Sequence, residues 1–337
     1  METSLAVVIT SYNYEKYIAN TIGSVLSQTD DNVELIVVDD GSIDNSWEII
    51  KSFNIEKSYL LKNGGQAKAC LFAIRQSKAS FFLFLDSDDA LAPGALSEIV
   101  RHLDANVAKL QYSLTPIDDA GAVIGPPTPT LTNYRRRQEL IDEIISTGTY
   151  TSPPTSGNVF CRKLCEIAEE VDYEISIDGV TLLAAPLYGD VVSISKPLGF
   201  YRIHGGGYSG QGTKLTIGSI RNDYKRFTNR LNHFFELARK KNISLSRPVE
   251  SDIFYLCERK AFESIVLDRG LSFSALPRLI ASLWRLRKPL GHKIAMSVFF
   301  FLCCILPARI ASRLLDYRMR PGHRSISGSL RHAFGSD

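Results

Sequence analysis

The sequence predicts an α/β fold: a mostly parallel sheet flanked by helices on both faces, continued by a helical C-terminal extension. Three observations predict it. Short apolar, β-branched runs alternate four times with segments of helical spacing between Leu5 and Leu103. Two of those runs end in acidic clusters, VVDDGS at Val37 to Ser42 and FLDSDD at Phe84 to Asp89. The segment from Ser272 to Asp337 holds eleven Lys or Arg against two Asp or Glu, a net of +9 in a chain whose formal total is +3. Such asymmetry marks a basic appendage that meets an anionic partner.

The elements follow in order. Leu5 to Thr10 is an unbroken β-branched run and predicts a buried parallel strand, with Ser11 to Tyr14 as the loop after it. Tyr17, Ile18, Ile22, Val25 and Leu26 have the spacing of one helix face. Val33 to Val38 predicts the second strand, ended by Asp39, Asp40 and Gly41, with Ser42 placed to cap the helix that carries Trp47, Ile49 and Ile50. Lys57 to Leu61 is a third strand and Asn63-Gly64-Gly65 a turn, before a helical pattern from Gln66 to Gln76. Phe81 to Leu85 is the fourth strand, and Pro93 opens a helix carried by Leu96, Ile99, Val100 and Leu103.

Past this point the pattern loosens. Lys109 to Leu114 has strand character, and Gly125 to Pro129 is a turn or loop. Tyr134 to Ile145 has the spacing of a surface helix, and Thr149 to Gly157 is a Thr/Pro/Ser loop before the strand-like SGNVF. Asp178 to Ala185 predicts an apolar helix opened by an acid, and Val191 to Ile194 a further strand. His204 to Gly212 contains five glycines and suits a loop that closes over a ligand. Ile220 to Lys240 is a long helix. The division expected is a sheet domain over 1–215 and a helical region over 216–337.

A length of 337 residues, 45% hydrophobic, describes an ordinary globular chain. Six cysteines show no paired metal-site spacing and are expected as buried thiols in a reducing compartment. The N-terminus enters a strand directly, without the basic and apolar regions of a secretion signal. In the tail, Ile294 to Leu306 is an uncharged run of thirteen residues, short of the roughly 20 that a full span needs. With basic flanks on both sides, and Trp284 and Tyr317 at its margins, it suits a segment lying in the face of an anionic bilayer; the other outcome is a packed helix with a basic surface.

Asp86, Asp88 and Asp89 stand within four residues. Carboxylates this close repel, and a divalent cation resolves the repulsion. Mn²⁺ or Mg²⁺ prefers carboxylate and phosphate oxygens, so a nucleotide diphosphate completes the shell. Asp88 is favoured for the metal and Asp86 for the ribose or the metal's water shell, with Asp89 available to cap the helix after Pro93. Asp39 and Asp40 end the neighbouring strand, where ligands bind in parallel sheets. Thr10 and Asn13 can face a base there, and Tyr12 can stack on it. At Asp178, a lone carboxylate opening a helix suits a base or an ordinary cap.

The set VVITSYNYEKYI, SVLSQT, ELIVVDDGSIDNS, NGGQAKA and FLFLDSDD resembles the inverting family 2 glycosyltransferases of GT-A fold, of the kind that builds bacterial cell-surface polysaccharides. The resemblance covers Leu5 to about Gly210. It implies that Thr10 and Asp40 contact the nucleotide base, with Tyr12 and Asn13 lining the pocket. Asn63, Gly65 and Lys68 match the stretch that closes over ribose and base. Asp86 and Asp88 match the D-x-D pair, whose second acid binds Mn²⁺ or Mg²⁺ through the diphosphate. Thr10 stands where many members have proline. The family's base lies in a Glu-Asp pair at a helix start; here Ile177 takes the glutamate position and Asp178 the aspartate position. YRIHGGGYSG matches the segment after the last core strand, where Arg202 or His204 binds diphosphate oxygens, or His204 ligates the metal.

The resemblance implies a single displacement with inversion, in which Asp178 deprotonates an acceptor hydroxyl. A UDP-sugar is the favoured donor, with GDP- or dTDP-sugars as alternatives, and the acceptor is a saccharide, attractive as a lipid-linked one. The place expected is the cytoplasm, peripheral on the inner face of the cell membrane. No nucleic-acid partner is expected, and no oligomeric state is set. A processive synthase would need full transmembrane helices and a Gln-x-x-Arg-Trp motif, both absent from the sequence. A nucleotidyltransferase is the enzyme rival, but the loop SYNYEKY lacks the glycines such enzymes place after the first strand. A non-catalytic carbohydrate-binding protein leaves Asp86, Asp88 and Asp178 without a use.

Overall fold

A computed structural model describes residues 4–29, 32–171, 174, 176–204 and 216–319. Its centre is β1 (Leu5–Ser11), where Leu5 to Ile9 are each no more than 1% exposed. Such a run can be buried on both faces because every residue in it is apolar. The chain then alternates as the sequence predicts: α1 (Ile18–Leu26), β2 (Val33–Asp39), α2 (Ser46–Ser52), β3 (Lys57–Leu60), α3 (Gln66–Arg75) and β4 (Phe81–Asp86). The ladders β1–β2, β1–β4 and β2–β3 are all parallel. Their register sets Thr10 beside Val38 on one side and Asp86 on the other, and pairs Ser11 with Asp39. Both acidic clusters therefore leave the sheet at its carboxyl edge, on the two neighbours of one strand.

The second half of the sheet is mixed. After β5 (Ala90–Leu91) and α4 (Ala95–Arg101) come β6 (Val107–Ile117), β7 (Tyr134–Arg136), α5 (Gln138–Thr147), β8 (Asn158–Cys161), α6 (Arg162–Glu166), α7 (Asp178–Tyr188) and β9 (Asp190–Arg202). The strand order is β3-β2-β1-β4-β8-β6-β9-β5, with β7 pairing β9. The short β8 runs antiparallel to both β4 and β6 and joins the parallel half to the β6–β9 pair, itself parallel. Apolar side chains of the sheet and of α1, α2 and α4 form one core, including Val7, Ile22, Leu83, Ile99 and Tyr112.

Several local expectations change. Ser42 does not cap α2: its hydroxyl and its N–H both turn back to the Asp39 carboxylate, at 2.8 and 2.7 Å. Asp89 does not cap α4, whose preceding residue is Gly94; it is buried and accepts from Arg202 N at 2.9 Å. Tyr134 to Arg136 is a strand and not the first turn of a helix. The glycine-rich stretch lies, past His204, outside the described residues. No disulfide forms, and Cys70, Cys165 and Cys303 are buried thiols.

The chain divides into two compact units, 1–141 with 151–204, and 142–150 with 205–337. The first holds the whole sheet. The second is helical, with α8 (Ile217–Lys240), α9 (Phe254–Val266), α10 (Leu276–Arg285), α11 (Leu290–Ile305) and α12 (Ala308–Met319). Thr216 and Ser219 close a capping box on α8. Phe254, Phe262, Leu279, Leu283, Phe300 and Leu315 belong to the second unit's own core. On α11 one face enters that core through Met296, Phe300 and Cys303. Another face leaves Leu290, Ile294, Val298, Phe301 and Ile305 exposed.

Candidate active site

The site is built at the carboxyl edge from three acidic elements. Where β4 ends, Asp86 turns its Oδ1 to the side-chain amide of Gln66, at 2.7 Å, while its backbone N–H donates to Ser156 Oγ at 3.1 Å. Burial, with the charges of Asp88 and Asp178, raises the Asp86 carboxyl to about 7. Asp89 is pushed well above the usual carboxylate range by burial and by Asp88 and Asp86, and its Oδ2 has no hydrogen-bond partner among the described residues. Asp88 reaches a different neighbour: its Oδ2 lies 2.9 Å from Nε2 of His204, just past β9.

Aromatic rings wall this cluster. Tyr14 meets His204 edge-on at 6.2 Å between ring centres, and Tyr17 lies 4.9 Å from it. Burial and the charges of Asp88, Asp86 and Asp89 raise the Tyr14 phenol, which keeps it a hydroxyl donor. Asp178 opens α7 and is not its cap, since Ile177 precedes it in that place. Its Oδ1 accepts from Ser176 Oγ at 2.6 Å and its Oδ2 from Thr155 Oγ1 at 3.1 Å. The field of Asp178 acts on Asp86, on Cys70 and on Lys109, so its carboxylate shares the polar edge with the β4 acids.

On the β2 side, Asp40 accepts from Gly64 N and Gly65 N, both at 2.8 Å. Gly65 has φ of +93°, a left-handed conformation that a side chain disfavours, so the turn is closed by glycine and held by the acid. The side-chain oxygen of Asn13 accepts from Ile43 N at 2.9 Å, which ties the loop after β1 to the loop after β2.

The glycosyl transferase family 2 model matches residues 6–155. This segment is similar to a family 2 glycosyltransferase domain. It contains the β1 edge, both acidic clusters and Thr155. An uncharacterized glycosyltransferase of Nostoc sp. is 30% identical over 60% of this chain and 65% of its own length. The UDP-Glc:α-D-GlcNAc-diphosphoundecaprenol β-1,3-glucosyltransferase WfaP of Escherichia coli is 28% identical over 49% of this chain and 57% of its own. The matches thus span less than two thirds of either relative. In fold, the chain is similar to S. aureus TarS 1-349 in complex with UDP-GlcNAc, with a TM-score of 0.53 at 17% identity, covering 94% of this chain and 87% of that one.

The residues expected at a donor site fall into groups. Thr10, Asp86 and Asp88 stand on β1 and at the end of β4, Tyr12 and Asn13 are exposed on the loop after β1, and Asn63, Gly65 and Lys68 are exposed where α3 begins. Arg202 serves a different end from the diphosphate contact expected of it. It is buried, and its guanidinium donates to the carbonyl oxygens of Asp88, Asp118 and Asp119 at 2.9 to 3.1 Å. It also stacks over Tyr17, 5.0 Å from the ring centre. Those contacts fix the acidic turn. Gln66, Tyr14 and Ser156 touch or wall the acids without any sequence signal of their own beyond lying in or near the motifs.

The donor set suits a hard divalent cation. Asp88 and His204 converge, an orphaned carboxylate oxygen sits at Asp89, and among the described residues no ammonium or guanidinium pairs directly with the carboxylates of the crowded acids. Among the described residues, no group of three His, Cys, Asp or Glu forms a ready coordination shell. A cation here would be held by Asp88 and His204 and completed by ligand oxygens, as magnesium sites usually are.

Proposed function

We propose that the chain transfers a sugar from a nucleotide-sugar donor to a saccharide hydroxyl with inversion, in bacterial surface-polysaccharide synthesis. The observation that carries this reading is the register of β1 with its two neighbours, which brings Asp39–Asp40 and Asp86–Asp88 to one edge with Asp178 acting electrostatically on Asp86. The nucleotide lies over Thr10, Tyr12, Asn13 and Asp40, under Asn63, Gly65 and Lys68. Asp88 and His204 would hold Mn²⁺ or Mg²⁺, which would supply the positive charge that the departing diphosphate needs. Gln66 holds the Asp86 carboxylate beside that site, and Tyr14 presents a hydroxyl donor to it. Asp178, its plane fixed through both oxygens, takes the proton of the acceptor hydroxyl as that oxygen attacks the anomeric carbon. One displacement needs no protein nucleophile.

UDP is the favoured nucleotide, supported by WfaP, a UDP-Glc-dependent relative by its name, and by a fold neighbour seen with UDP-GlcNAc. WfaP's acceptor is a diphosphoundecaprenol-linked sugar. A lipid-linked acceptor suits the tail of this chain as well. The exposed face of α11 repeats at intervals of four, four, three and four residues, one apolar stripe, with Lys288 and Lys293 near its start. No helix among the described residues is long and apolar enough to cross a membrane. The stripe suits peripheral contact with the inner, anionic leaflet.

Incubation with UDP-, GDP- and dTDP-sugars and undecaprenyl-diphosphate-linked acceptors, with and without EDTA, tests the reading. Metal-dependent release of one nucleoside diphosphate with a new glycosidic product is the expected result. Release of pyrophosphate from a nucleoside triphosphate and a sugar phosphate would overturn it.

A further inference from the structure

We propose that Thr155 is the positioning residue for Asp178, and that the loop from Ser152 to Asn158 is a rigid strut setting Asp178 against Asp86. The inference rests on the reading of Asp178 as the base. Successive residues of this loop hold the two acidic elements. Thr155 donates its hydroxyl to Asp178, while the hydroxyl of Ser156 accepts from the backbone of Asp86. With Ser176 on the other oxygen, the Asp178 carboxylate is held at both ends, so its plane is fixed. A base needs that: misplacement by about 1 Å costs on the order of a hundredfold in rate.

The loop is braced from beneath. Asn158 donates to the carbonyl oxygens of Pro153 and Pro154, at 3.2 and 2.8 Å, and the Tyr112 hydroxyl donates to Ser156 O at 2.7 Å. Two successive prolines narrow its backbone freedom. At Gly157 an added Cβ would lie 2.6 Å from Pro153 Cβ and 2.8 Å from Tyr112 O, so the loop is pressed flat on β6. The start of the loop is pinned by Lys109, whose side chain is entirely buried. Its ammonium nitrogen lies 2.7 Å from Ser152 Oγ and 2.8 Å from Gln111 Oε1, and Gln111 in turn donates to Thr151 O. An interior lysine is expensive unless its hydrogen bonds are made. Here it makes them to the strut and to the strand under it.

The test compares Thr155→Val, which keeps the shape and removes the hydroxyl, with Thr155→Ser, which keeps the hydroxyl. Turnover is measured with whichever nucleotide sugar proves active, and donor-site affinity with UDP–Mn²⁺. The expected result is a fall in kcat of about tenfold or more for Thr155→Val, with donor KM and UDP–Mn²⁺ affinity within about twofold of the parent, and recovery in Thr155→Ser. Unchanged kcat in Thr155→Val overturns the proposal. So does a parallel loss of kcat and UDP affinity, or a Thr155→Ser protein as impaired as the valine variant, since either means that the loop only supports the fold. If the valine packs badly and the variant does not fold, Thr155→Ala, which cannot overpack, gives the same comparison. Asp178→Asn run alongside separates the two readings. If it keeps full turnover the base assignment falls, whereas an inactive Asp178→Asn with a fully active Thr155→Val removes the strut alone.

Discussion

Asp88 and His204 are 116 positions apart in the chain and meet at 2.9 Å, Oδ2 to Nε2. The pair joins the end of β4 to the end of β9, and Arg202 locks the same junction by donating to Asp88 O. The side chains of Asp88 and His204 are 14% and 9% exposed, so the contact is largely shielded from bulk water. A buried pair of this kind is either a structural link or a two-ligand seat for a cation.

The two outcomes separate by substitution. Asp88→Asn keeps a hydrogen bond to His204 and removes the charge. Isothermal calorimetry with UDP–Mn²⁺ should then show a loss of affinity of about tenfold or more, while the melting temperature stays close to that of the parent. His204→Gln should lower the same affinity in the same direction. Unchanged UDP–Mn²⁺ and GDP–Mn²⁺ affinity in Asp88→Asn would remove the metal from this pair.

Asp178→Asn keeps the side chain's shape, with one of the two hydroxyls still donating to the amide oxygen and the other turned to accept from the amide nitrogen, and it removes the proton acceptor. Turnover should drop by about a hundredfold or more, and UDP–Mn²⁺ affinity should stay nearly intact. A variant with near-normal turnover would send the base elsewhere, with Glu174 and Asp172 the next carboxylates to replace; Asp172 lies outside the described residues.

The parallel half of the fold was legible because its code is local. Runs such as Leu5 to Ile9 are apolar without interruption, and only a strand covered on both faces tolerates that. The acids after such runs fall at the ligand edge by topology alone. What was not legible depends on distant pairing. Nothing in SPPTSGN says that Thr155 will meet Asp178 across 23 positions, because a hydroxyl in a Thr/Pro/Ser loop has the same local signature wherever it points. Arg202 misled for a related reason. Its place in YRIHGGGYSG, by resemblance, suggested a diphosphate contact, yet here the backbone carbonyls of the acidic turns claimed its donors first.

Lys109 carries a pH signature. Burial pulls its ammonium well below the ordinary lysine value of 10.5, with the Asp178 charge opposing. Between the two values the unfolded chain binds a proton that the folded chain does not, so this residue makes stability rise as pH climbs toward the unfolded value. Urea unfolding of the parent and of Lys109→Met at about pH 7.5 and about pH 9.5 isolates the effect, because every other titration is shared. The parent should gain more stability, or lose less, over that interval than the variant. Identical changes in both proteins would show that Lys109 is charged inside the fold.

The helical core leaves one face of α11 open. Ile294, Val298 and Phe301 are each about half exposed, on the same stripe as Leu290 and Ile305. Trp284, at the end of α10, is also half exposed, and its indole N–H donates to Ser297 while Lys293 lies over its ring. An aromatic residue beside lysine at the rim of an apolar stripe is the composition of an interfacial helix. Replacing Ile294, Val298 and Phe301 together by serine removes apolar surface from the open face without touching Met296, Phe300 or Cys303, which hold the helix in its core. The parent protein should sediment with vesicles of phosphatidylglycerol and phosphatidylcholine. Raising salt should weaken that binding without abolishing it, since charge is screened while apolar burial is not. The triple variant should stay in the supernatant, with UDP–Mn²⁺ affinity unchanged and transfer to a lipid-linked acceptor reduced. If the parent itself stays in the supernatant at low salt, the stripe does not meet a bilayer, and the acceptor is then to be sought among soluble saccharides.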